Sequence, residues 1–320
     1  MQRTHRFISL TLTLAFVLAT TSSALENVTP SDETLSTSAI ERIIDNSDSK
    51  VTANEYDLLV QAKEEAERTL KNSKSAKADL TKAQEILDYD PAERVQKLQS
   101  FSEEELRNLG FSEERIDIIK NFTGTEKELR ALSANVTGAL STTTSRVSGV
   151  PWVRATYYFN WDGPIAFDTS YDVAQIGATH DFMFRTVSNN YCTLNYSAYG
   201  ATGSTDYSKA ATVQLMPKTQ GYIGGASFSA TEYKSGNTYY VRSGSISCSF
   251  SNANKSSNQS NIEGSYLHST LIITQSAAIN FSLNLIKGII NGINMVIDYT
   301  INLTTGVVDI GVSSKNVVIS

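Results

Sequence analysis

The chain changes character near residue 140, and that break governs what each half can fold into. Residues 25–140 hold 15 Lys/Arg against 24 Asp/Glu, whereas residues 141–320 hold 10 against 9. Both tryptophans, both cysteines and thirteen of the fifteen tyrosines follow the break. Glu/Lys/Ala-rich sequence favours helix, and aromatic and β-branched residues favour strands. The chain is therefore expected to be α+β: an N-terminal module of short helices, then an all-β antiparallel sandwich of immunoglobulin-like or jelly-roll-like type.

Ahead of both halves, Arg3 and Arg6 precede an apolar run from Phe7 to Ala19, and small residues follow through Ala24. This is the pattern of a secretory signal peptide, and its run is shorter than the roughly 20 residues a membrane helix needs. The expected organisation is a signal peptide over 1–24, a flexible Ser/Thr/Asp-rich leader over 25–50, and an acidic helical module or pro-region over 51–140. A linker over 141–150 and a sandwich over 151–320 complete it. Without Arg3 and Arg6 the formal net charge of −6 becomes −8. That balance argues against nucleic acid and anionic membranes as electrostatic partners. The product is expected to be secreted, extracellular or held at the cell surface.

Capping signals punctuate the acidic module. Thr52 with Glu55, Ser102 with Glu105, and Thr125 with Glu128 have capping-box spacing, and Asp90-Pro91 reads as a cap followed by proline at the first helical position. Phe101-Ser102-Glu103-Glu104 recurs as Phe111-Ser112-Glu113-Glu114, with Gly110 suited to a left-handed helix stop between them. The carboxylates read mainly as solvated charges at helix N-termini.

Past residue 150 the hydrophobic period falls to two. Ile176, Ala178, His180, Phe182 and Phe184 share one face; Cys192, Leu194 and Tyr196 share another; and Ile246, Cys248 and Phe250 share a third. Lys234-Ser235-Gly236-Asn237 reads as a hairpin turn, and Gly244 as a strand irregularity. Two cysteines in an exported chain predict a Cys192–Cys248 disulfide, placed between the two sheets.

No nucleophile elbow, zinc-type His/Cys spacing or phosphate loop is present, so no cofactor, metal or catalytic residue is assigned. His180 alternates in phase with Phe182 and Phe184 as a core residue does. Asp162, Asp168, Asp172 and Asp181 are close in sequence, which admits a glycan-directed hydrolase if two carboxylates stand 5–9 Å apart. The aromatic run holding Trp152, Tyr158 and Trp161 suits the core or, exposed, stacking on a ligand; on one strand Trp152 and Tyr158 face one side and Trp161 the other. In the tail, Phe281, Leu283 and Leu285 alternate with polar residues, as do Ile293, Met295, Ile297, Tyr299, Ile301 and Leu303, which is the pattern of a membrane-barrel strand as well as of a soluble one. The leading expectation is an exported, non-catalytic binding or surface protein, its partner a surface glycan or another extracellular protein. The second is a secreted pore-forming toxin or antimicrobial protein that touches the membrane only through its C-terminal segment, with an acidic pro-region. The hydrolase is third.

Overall fold

Seven short helices and thirteen strands are built from these patterns among the residues that the computed structural model describes: 34–71, 77–167, 171–179, 181–198, 206–216, 222–234, 237–269 and 307–319. The expected signal peptide over 1–24, Asp168, His180 and residues 270–306 lie outside them.

The helices are α1 (Thr37–Asp45), α2 (Glu55–Lys71), α3 (Lys77–Asp88), α4 (Pro91–Gln99), α5 (Glu103–Asn108), α6 (Glu113–Lys120) and α7 (Glu126–Leu132). Side-chain caps set their starts. Ser102 and Thr125 complete capping boxes with Glu105 and Glu128, and Asp90 accepts from the Ala92 amide with Pro91 next to it. Gly110 adopts φ 84° between the two copies of the Phe-Ser-Glu-Glu repeat. Thr52 does not cap. It lies in β1 (Val51–Asn54), and the side-chain oxygen of Asn54 accepts from the Tyr56 amide instead.

Two further boundaries differ from the sequence reading. The leader over 25–50 contains α1, capped by Ser36; Ile40 and Ile44, four residues apart, bury one helix face against Ala139 and Tyr158. Ser/Thr-rich composition hides that pair. Residues 141–150 are no linker. They belong to a long hairpin in which β2 (Asn135–Val147) pairs with β3 (Val150–Trp161), and Ser148 and Gly149, with φ 51° and 75°, form the turn. Two consecutive positive φ values are what a tight two-residue hairpin loop requires.

The remaining strands are β4 (Tyr171–Ala178), β5 (Met183–Arg185), β6 (Tyr191–Ala198), β7 (Tyr207–Ala211), β8 (Gln214–Leu215), β9 (Ile223–Ser229), β10 (Thr231–Lys234), β11 (Asn237–Ser251), β12 (Gln259–Ser269) and β13 (Val307–Val318). All pairs are antiparallel. The larger sheet runs β1-β2-β3-β11-β6-β7, with β5 and β10 also on β11, and the smaller runs β13-β12-β4-β9-β8. Lys234 pairs with Asn237 at the expected turn, and the β6–β11 register slips between Val241 and Ser243, beside Gly244.

Between the sheets lies the core. Phe159 of β3 stacks on Phe228 of β9 at 5.9 Å and meets Tyr266 of β12 at 4.5 Å. Leu58, Ala62 and Ala66 of α2 and Ala83 and Ile86 of α3 belong to this same cluster. The acidic segment thus supplies part of the sandwich's own interior.

The cysteines overturn the disulfide. Cys192 of β6 stands opposite Ile246 of β11, and Cys248 is two residues along β11, so both lie on adjacent strands of one sheet and not on two sheets. Diagonal neighbours have Cβ atoms about 7–8 Å apart, whereas a disulfide needs about 4 Å. Both are free, buried thiols.

Candidate functional site

Three ionisable groups with no access to solvent meet where α2 joins the sandwich. Asp172 is fully buried near the start of β4. It accepts from the Tyr266 hydroxyl at 2.5 Å, and His268 Nδ1 lies 3.1 Å from its Oδ1. The strand alternation explains this: Tyr266 and His268 are two apart on β12 and so share the inward face. Trp161, at the end of β3, donates its indole N–H to the Tyr266 hydroxyl at 3.2 Å and meets the His268 ring edge-on at 5.1 Å.

Glu55, the first residue of α2, is the third group. Its carboxylate accepts from the amides of Ala166 at 2.9 Å and Phe167 at 2.8 Å, and its own amide donates to the Ala134 carbonyl. Burial pushes the Glu55 carboxyl above its ordinary range, against the opposing pull of His268 and these backbone donors. Burial penalises the His268 imidazolium, yet Asp172 and Glu55 outweigh that and hold it above its ordinary value. The burial of Glu55 is invisible in the sequence, where it is one acidic residue in a charged helix. Its nearest signal is Tyr56, Leu58 and Leu59, which mark this end of α2 as the buried end.

Asp168 lies outside the described residues, and the other three aspartates have separate partners. Asp162 pairs with Arg115 at 2.9 Å and accepts from Asn135. Asp181 adopts φ 63° and accepts from the Ser256 hydroxyl. Asp172 and Asp181 flank opposite ends of β4, roughly 20 Å or more apart at about 3.3 Å per residue, well outside a glycosidase pair.

The aromatic candidates divide as their alternation requires. Trp161 is fully buried, so it offers no stacking surface: its indole is spent on the core and on Tyr266. Trp152 and Tyr158 face outward on β3 and are half-buried. Tyr158 lines a surface cleft of about 640 Å³ between α1 and the β2–β3 hairpin, with Arg42, Asn46, Ser141 and Lys315 around it.

At one edge of the smaller sheet, β12 and β13 form the ladder that frames residues 270–306. Its last rungs are Leu267 with Asp309, His268 with Val308, and Ser269 with Val307. His268 is therefore both a member of the buried cluster and the second-last rung. No helix among the described residues is long and apolar enough to cross a membrane, which says nothing of strands. Among the same residues, no group of three or more His, Cys, Asp or Glu could hold a metal ion.

No family model matches the chain, and no curated protein matches it. Among solved structures it is similar to a collagen-binding domain from a Staphylococcus aureus adhesin, at 8% identity and a TM-score of 0.25, over 56% of this chain and 96% of that one. A second is the Clostridium perfringens NetB toxin in its membrane-inserted form, at 8% identity and a TM-score of 0.15, over 42% of this chain and 84% of that one. Likeness of that degree carries no weight for function, which rests on the chain's own geometry.

Proposed function

We propose that the protein is an exported, membrane-permeabilising protein whose residues 270–306 insert as a β-hairpin. The observation that carries this reading is the β12–β13 register. Continued beyond Ser269 and Val307, it sets Ile279 opposite Ile297, Phe281 opposite Met295 and Leu283 opposite Ile293, with Gly288 at the turn. In that register Ile279, Phe281, Leu283, Leu285, Ile293, Met295, Ile297, Tyr299, Ile301 and Leu303 would fall on one face, with Gln275, Lys287 and Asn291 among them, and Ile272, Ile286, Ile290 and Val296 would not. Asn280, Ser282, Asn284, Asn294, Asp298, Thr300 and Asn302 fall on the other. A slip of one residue would set apolar against polar at Phe281, Ile293 and Met295 in one direction. Each arm exceeds the roughly 9–11 residues a barrel strand needs. A single hairpin leaves two unpaired edges in lipid, so insertion requires several copies to close a barrel.

Dye release from liposomes tests this. The full chain is expected to release dye, and Phe281→Asp or Ile297→Asp, on the apolar face, to abolish release with the circular dichroism of the soluble protein unchanged. Release that survives both substitutions, or none from vesicles of several lipid compositions, overturns the reading.

Binding to a surface glycan or an extracellular protein is the second reading, and the cleft beside Tyr158 favours it. Tyr158→Ala should then abolish retention on the bound surface without unfolding the protein; undiminished retention would exclude the cleft.

A further inference from the structure

Two buried carboxylates and one buried imidazole are costly to keep in a core, and these three tie together segments far apart in sequence. Glu55 fastens the start of α2 to residues 166 and 167. Asp172 follows on β4, and His268 is one residue from the end of β12. From the same end of that ladder the proposed hairpin departs. We propose that Glu55, Asp172 and His268 form a proton-operated clasp, closed while His268 is charged, that holds the helical segment and the base of the hairpin together. What the clasp releases rests on the membrane reading above; the clasp itself does not.

The charges facing His268 from each neighbouring element support this assignment. Asp172 on β4 and Glu55 on α2 are acidic, and the Tyr266 hydroxyl on β12 donates a hydrogen bond to Asp172. Tyr196 on β6 donates to the Ser229 carbonyl and bears on the same cluster. Trp161 on β3 does not titrate. On β13 the register sets Val308 opposite His268 and Asp309 opposite Leu267. Among the described residues, His268 is thus the one cation acting on Glu55. Once it loses its proton, Glu55 is left buried with no cation facing it among the described residues. Separating the segments, which rehydrates Glu55, then costs less.

The direction in pH follows. Glu55 and His268 both hold their protons more tightly when buried than when exposed. Each therefore favours the closed form at lower pH and gives up that contribution as pH rises through its closed-state value. For His268 the loss begins above 6.5.

Hydrogen exchange of the soluble full chain, corrected for intrinsic rates, reads the clasp without any membrane. Protection over 55–71 and over 262–268 is expected to fall in parallel above pH 6.5, by up to roughly tenfold per pH unit for one linked proton. His268→Gln should weaken the pH dependence above 6.5 in both regions, leaving the part that Glu55 and Glu263 contribute. Glu55→Gln, which retains an acceptor for the two amides and removes one charge, should raise protection at alkaline pH and weaken the slope; it carries the test if the His268 variant does not fold. A flat wild-type profile, only one of the two regions responding, or an undiminished slope in Glu55→Gln overturns the proposal. Absence of dye release by the full chain, or release that survives Phe281→Asp and Ile297→Asp, would sink the hairpin and leave this result standing. Release that ignores pH, with exchange profiles flat, would sink the clasp alone.

Discussion

Trp161 and Tyr266 are joined by a hydrogen bond of 3.2 Å that runs from β3 in the larger sheet to β12 in the smaller. The Tyr266 hydroxyl accepts from the indole and donates to Asp172, so one oxygen satisfies two buried groups. Removing a shared partner leaves the others desolvated and unmatched.

Tyr266→Phe is accordingly expected to destabilise the fold by about 2–4 kcal/mol, more than Trp161→Phe, which costs about 1–2 kcal/mol. Combining the two should cost less than the sum, because both act through the same hydroxyl. Urea unfolding of the three variants measures this.

The thiols are expected to be inert in the native protein. Burial pushes Cys192 up to about 12 and Cys248 well above its ordinary value, so almost no thiolate exists at neutral pH. Alkylation should be absent in buffer and reach both cysteines in denaturant, and the intact mass should lack the two-dalton loss of a disulfide.

Local sequence spoke clearly where one element decides the outcome. The caps at Ser102 and Thr125, the left-handed Gly110 and the opposite facing of Tyr158 and Trp161 were all legible, since each depends on a few adjacent residues. What failed depends on distant partners. Nothing near Cys192 reveals that β6 lies beside β11, and nothing near Glu55 reveals that residues 166 and 167 supply its donors. The Ser/Thr-rich run at 141–147 looked like a linker because its role as a strand comes from pairing with β3.

Glu263 on β12 offers a pH prediction separate from the clasp. Burial raises its carboxyl to about 7, although the Asn261 amide donates to it at 2.8 Å and pulls the other way. A raised acid gives its full contribution below its unfolded value and loses it as pH rises through the folded one. Stability should therefore decline between pH 5 and 8.5 by up to about 3 kcal/mol from this group. Glu263→Gln should remove that component, making the variant the more stable at pH 8.5 in urea titrations.

The helices and the sandwich are expected to unfold in one transition, because Leu58 and Ile86 are buried in the sandwich core. Leu58→Ala or Ile86→Ala should cost about 2–5 kcal/mol and lower a single calorimetric peak. Two resolved peaks, with only one shifted, would show that the acidic segment melts independently.

Ser269 and Val307 are neighbours on one ladder, so the 37 residues between them begin and end at a single place. A change in the length of residues 270–306 therefore leaves the register of every other described strand untouched.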